Sequence, residues 1–195
     1  MKKIIKNILH FWYIYLLVIA SVSIGVIYYC DFIDMPRKEE TISLFISSYT
    51  NDSNNLHSFL KEKSPDYLRE INITFVNPKA PEFEYLMVNK GLNKADMFIL
   101  TESYIFDSLI EKQFSPLNKE VVESYFTYES DESGKGILVH KPGDQDNDLY
   151  TFNSETYKDE RFYLFYRVNS LHIKGLNDAK VDTALRFTKE LLNYA

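Results

Sequence analysis

Cysteine, glycine and arginine are scarce in this chain of 195 residues, and each shortage excludes something. A single cysteine, Cys30, excludes an intramolecular disulfide framework and a cysteine-based metal cluster. Six glycines leave little material for loops that bring backbone close to a phosphate. No Gly-rich phosphate loop and no Gly-x-Ser-x-Gly elbow is present. Five arginines set against 28 acidic residues exclude a broad basic face, and with it nucleic acid as a partner. Acid is itself missing from one place, since no Asp or Glu precedes Asp31. Residues 1–30 carry Lys2, Lys3 and Lys6 and a balance of +3, whereas residues 31–195 carry 19 basic and 28 acidic side chains, a balance of −9. What is present, 45% hydrophobic and 15% aromatic residues, suffices for one domain with a core.

From Asn7 to Cys30 run 24 residues without a formal charge. As a helix this stretch is about 36 Å long, enough to cross a hydrocarbon layer of about 30 Å with some tilt. Trp12, Tyr13 and Tyr15 towards one end and Tyr28 and Tyr29 at the other have the character of interfacial aromatics. With Lys2, Lys3 and Lys6 on the short side and no Lys or Arg beyond the segment until Arg37, the positive-inside rule places the N-terminus in the cytoplasm. The alternative is a cleaved signal peptide, for which Ser21 and Ser23 offer small residues. Apolar residues continue from Ile24 to Tyr29, which favours an uncleaved anchor. The bulky Tyr29 directly before Cys30 argues against a lipidated cysteine. The expected organisation is therefore a cytoplasmic N-terminus (1–6), a transmembrane helix (7–30), a charged linker (31–40) and an extracellular α/β domain (41–195) of a single-pass cell-membrane protein.

Within that domain, Thr41–Ser47, Ile71–Val76 and Ala95–Leu100 read as strands. Helical stretches follow each: Leu56, Phe59 and Leu60; Glu82–Lys90, with Gly91 suited to a left-handed C-terminal cap; and Ser103–Gln113. Strand, helix, strand, helix, strand, helix implies parallel strands with helices on the sheet faces, hence a mostly parallel three-layer α/β lobe. After Leu117 the pattern loosens. Lys119–Phe126 suits a helix, Gly136–His140 and Phe162–Val168 suit strands, and a last helix capped by Asn177 presents Val181, Ala184, Leu185, Thr188, Leu191 and Leu192 on one face.

Chemistry-bearing motifs are few. His57, His140 and His172 are scattered, with no His-Glu-x-x-His pair, so an enzyme is not expected. Asp144, Asp146, Asp148 and Glu155 fall at positions one, three, five and twelve of a calcium-type loop. Leu149 stands where that loop needs glycine, and an ordinary solvated acidic loop accounts for the same residues. Calcium is the one cofactor the sequence raises. In open α/β sheets ligands sit beyond the carboxyl ends of the strands. The loops there would carry Ser48, Tyr49 and Thr50, then Asn77, then Thr101, Glu102 and Tyr104, a set suited to hydrogen bonding and stacking with a small polar solute. The same residue types also serve as ordinary caps and turns.

Several stretches in series add a resemblance. Gly91-Leu-Asn-Lys-Ala-Asp-Met-Phe-Ile-Leu100, Thr101-Glu-Ser-Tyr-Ile105, Phe114-Ser-Pro-Leu117, the later Tyr163-Leu-Phe-Tyr-Arg-Val-Asn-Ser-Leu-His-Ile173, and Asp182 with Ala184-Leu185 follow one another along the chain. Together they resemble bacterial extracellular solute-binding proteins of ABC transporters, with the type 2 periplasmic-binding fold. The resemblance implies a non-enzymatic solute-binding-like module beside a transporter. Such proteins have two lobes and about twice this length, so it implies a reduced, single-lobed form. The alternative is an interaction or assembly subunit that binds no solute and docks on a membrane partner such as an ABC transporter permease.

Overall fold

In the computed structural model the described residues are 11–49, 53–105, 111–143, 160–173 and 182–193. They fall into two units, Met1–Arg37 and Lys38–Ala195. The first contains helix α1, Trp12–Asp34, in which no residue is buried. Its 23 residues are long and apolar enough to cross a membrane, a property shared by an anchor and a signal sequence. The helix runs four residues beyond Cys30, through Asp31 and Asp34. It stops where Pro36 forces the preceding residue out of the helical region: Met35 is extended, at φ −60° and ψ 127°. The stretch read as linker is thus partly helical, and Lys38–Glu40 adds a 3₁₀ turn.

Among the described residues, all of the buried hydrophobic ones lie in the second unit, which therefore carries its own core. Its elements are β1 (Thr41–Ser47), α2 (Ser53–Lys63), β2 (Glu70–Val76), α3 (Phe83–Leu86, continuing as a π-helix over Met87–Leu92), β3 (Met97–Thr101), α4 (Lys119–Glu123), β4 (Ile137–His140), β5 (Phe162–Tyr166) and α5 (Thr183–Asn193). The five strands form one sheet in the order β2-β1-β3-β5-β4. β1 pairs in parallel with β2 and β3, but β5 is antiparallel to both β3 and β4. The sheet is therefore mixed, which corrects the expectation of a mostly parallel one. The physical reason is that Phe-Tyr-Leu-Phe-Tyr in β5 is buried at every position, and a strand apolar on both faces carries no information about its direction.

Strand alternation sends side chains to opposite faces of the sheet and divides the core in two. On one face Ile42, Leu44 and Ile46 of β1, with Met97 and Ile99 of β3, pack under Leu56 and Leu60 of α2 and Leu185, Phe187 and Leu191 of α5. On the other, Phe45, Phe98, Phe114 and Phe165 pack with Phe83 and Met87 of the α3 segment. Phe114 stacks on Phe165 at 4.6 Å between ring centroids. Gly91 belongs to this second core. It is part of the π-helix and does not have a positive φ, so it is not the left-handed cap expected of it. A Cβ there would come within 3.0 Å of the Phe98 ring and 3.3 Å of the Phe45 ring, so glycine permits a close approach of backbone to sheet.

Helices start and stop for local reasons. Asn118 caps α4, its side chain accepting from Val121 N at 3.3 Å. Ser64 Oγ donates to Lys61 O at 2.8 Å as α2 ends. The described part of the last helix begins at Thr183, and Asn177 lies outside the described residues, as do residues 106–110 of the expected 103–113 helix. What is described there is a 3₁₀ turn, Glu102–Tyr104, and helix at residues 111–113.

Candidate functional site

Because β1, β2 and β3 are parallel, their carboxyl ends form one rim of the sheet. Antiparallel β5 begins at this rim, with Phe162 opposite Thr101. That brings Glu160 and Arg161 to the same place, and sequence reasoning missed both. The signal was their position directly before an apolar strand, which becomes informative only once the strand's direction is known.

The expected rim residues take different roles. Ser48 is buried, and its N–H donates to Val76 O at 3.1 Å, extending the pairing of β1 with β2. The Tyr49 hydroxyl donates to Glu160 Oε2 at 3.0 Å, joining the loop after β1 to the residues before β5. Thr101 is buried and its hydroxyl lies 3.1 Å from Ser103 Oγ. Asn77 is exposed, and its side-chain oxygen accepts from Lys79 N at 2.8 Å, closing an Asx turn. Tyr104 packs its ring on Phe83 at 4.6 Å. Thr50, and the calcium candidates Asp144, Asp146, Asp148 and Glu155, lie outside the described residues.

Glu102 remains as the exposed charge on the rim. Its N–H donates to Arg161 O at 2.9 Å, and the two side chains line a hollow of about 200 Å³. Tyr163 and Ile105 give it an apolar wall, and Asp131, Glu132 and Ser133 close the far side. Asp131 is committed to its own loop, its Oδ1 accepting from Lys135 N at 3.0 Å and Gly136 N at 2.7 Å while Oδ2 accepts from Ser133 Oγ at 2.5 Å. The proton of Arg161 is held more tightly than usual, first by its hydrogen bond to Tyr163, with Glu102 nearby adding to the effect. A permanent cation thus shares the hollow with Glu102 and Glu132.

At the opposite end of the strands sits Asp96, the acid of the Ala-Asp step. Its Oδ2 accepts from Ser43 N at 3.0 Å and its Oδ1 from Ser170 Oγ at 3.1 Å, tying β1, the entry to β3 and the segment after β5 together. Burial raises its pKa above the ordinary aspartate value. The Ser43 N–H, nearby His172, the Ser170 hydroxyl and the Arg167 guanidinium oppose that shift. Buried His172 has Nε2 at 2.8 Å from Thr41 O, a carbonyl, so Nε2 is the protonated nitrogen. Both ends of the sheet therefore carry polar groups, and only the rim was expected to. No family model matches the chain, and comparison with curated proteins and with solved structures finds no match.

Proposed function

We propose that the chain is a membrane-anchored, extracytoplasmic and non-enzymatic binding module whose rim takes a small zwitterionic solute. In this reading α1 is an uncleaved anchor with its N-terminus in the cytoplasm. The outer unit acts as a reduced, single-lobed relative of type 2 solute-binding proteins beside a transporter. The observation that carries the reading is that Arg161 and Glu102 line one hollow of about 200 Å³ at the strand carboxyl ends. Ligands of open α/β sheets sit at the carboxyl ends of the strands, the end at which β3 finishes and β5 begins. A solute carboxylate fits the fork of Arg161 and its ammonium fits Glu102 and Glu132. The volume is below the roughly 300–1,000 Å³ of drug-sized pockets, so the occupant is of amino-acid size.

The test is a thermal-shift screen of the full chain in neutral detergent against free amino acids, small betaines and sugars. A zwitterion at one hundred times its dissociation constant stabilises by about 2.7 kcal/mol, and Arg161→Gln abolishes the shift. If no zwitterion shifts the wild type, the solute-binding reading fails. The chain is then read as an assembly subunit that docks on a permease through the wholly exposed surface of α1.

A further inference from the structure

A cleft larger than the rim hollow lies at the other end of the sheet. It opens at the amino ends of β1 and β3, has a volume of about 560 Å³, and is lined by three cationic side chains, Lys38, Lys94 and Arg167, with the amides of Asn93 and Asn169 beside them. This concentration of positive charge stands out in a unit whose overall balance is strongly negative. Among the described residues, the only carboxylate on the wall is Asp96. Both of its oxygens are already engaged, by Ser43 N and Ser170 Oγ. Among the described residues no ion pair joins Asp96 to Arg167 or to either lysine. Arg167 uses one donor, Nη1, on Asn93 O at 3.2 Å, which fixes the guanidinium while leaving further N–H groups of its five for a ligand. Nearby Glu40 pairs elsewhere, with Arg69 at 3.7 Å.

We propose that this cleft is a binding site for a phosphate-bearing anion. Three cations of different reach suit a multiply charged tetrahedral group better than a single carboxylate, and Arg and Lys are the residues that hold phosphate, as fork and as point charge. Chain connectivity suggests where such a group would come from. Lys38 is four residues beyond Asp34, the last residue of the apolar helix. With α1 read as a membrane anchor, Lys38 follows the apolar segment closely in sequence, and anionic lipid headgroups draw basic side chains that flank a span.

The test uses the full chain in neutral detergent, titrated calorimetrically with inorganic phosphate in one arm and short-chain phosphatidylglycerol in the other, with short-chain phosphatidylcholine as the charge control. Wild type binds one equivalent in at least one arm. Binding by phosphatidylglycerol alone assigns the site to a lipid headgroup, and binding by inorganic phosphate assigns it to an anion in solution. Lys38→Gln with Lys94→Gln weakens that binding at least tenfold without changing the unfolding temperature. Arg167→Lys keeps part of it. Silence in both arms, equal binding of phosphatidylcholine and phosphatidylglycerol, or undiminished affinity in the double variant overturns the proposal.

Discussion

Asp96 offers the sharpest test of how the outer unit is held together. Its carboxylate is the acceptor for a backbone N–H of β1 and for Ser170 Oγ. Asp96→Ala removes both acceptors, and an unsatisfied buried donor costs about 1–3 kcal/mol. Because the serine hydroxyl can turn to another partner, the expected loss is about 2–3 kcal/mol near neutral pH. Asp96→Asn keeps an oxygen for Ser43 N and offers an amide to Ser170, so its cost is about 1 kcal/mol or less. The two variants also differ from wild type in pH dependence. The folded-state pKa of Asp96 is raised, chiefly by burial. The stability this contributes is therefore fully present below the unfolded value of 3.8 and is lost as pH rises through the higher folded value. Acidification from neutral pH should improve wild type relative to Asp96→Asn. Because the 38–195 unit contains the whole core, the assay is urea unfolding of that unit followed by circular dichroism at a series of pH values. A difference that stays flat, or that moves towards Asn on acidification, would refute the assignment of Asp96 as a buried, desolvated clasp. So would an Asp96→Ala variant as stable as wild type.

Two glycines of one loop should respond to alanine for opposite reasons. At Gly136 a Cβ would lie 2.7 Å from the Phe165 ring, an overpacking worth about 1–3 kcal/mol, whereas at Gly134 there is open space but φ is +69°, costing about 1–2 kcal/mol through the backbone alone. Relieving the ring by Phe165→Leu should then recover stability in the Gly136→Ala background and not in the Gly134→Ala one, as measured by denaturant midpoints. Tyr166→Phe deletes a buried hydroxyl that lies 2.6 Å from Thr188 Oγ1, itself bonded to Ala184 O at 2.9 Å. The expected loss is about 1–2 kcal/mol, and a variant with unchanged stability would show that the pair does not anchor α5 to the sheet.

Much of the architecture was legible in the sequence, and the parts that were not share a cause. Thr41–Ser47 and the strands near residues 70–76 and 97–101 stand out because their apolar runs are bounded by turn residues and helical stretches. Leu56 and Leu60 mark α2 by their spacing, and both are fully buried. Hydrophobic pattern reports burial and period, however, and not direction. The antiparallel course of β5 was therefore invisible, and with it the arrival of Glu160 and Arg161 beside Glu102. The same limit hid the basic cleft, since Lys38, Lys94 and Arg167 are far apart in sequence and meet only through the sheet order. Gly91 was misread because a glycine after a helical run suits a cap, while the space it leaves for Phe45 and Phe98 depends on packing across the sheet. Asn77 and Tyr104 were recognisable as rim residues, whereas Thr101, expected in the loop, is the buried last residue of β3, and their partners Lys79, Phe83 and Ser103 give each a local structural role as well.

The reading of the rim as a zwitterion site is tested most directly by calorimetric titration with the best solute from the screen and with two derivatives, one lacking its positive charge and one lacking its negative charge. The account predicts that removing either charge abolishes binding to wild type, and that Arg161→Gln and Glu102→Gln each reproduce the loss seen with the matching derivative. Equal affinity for the intact solute and both derivatives, or full affinity in both variants, would contradict it.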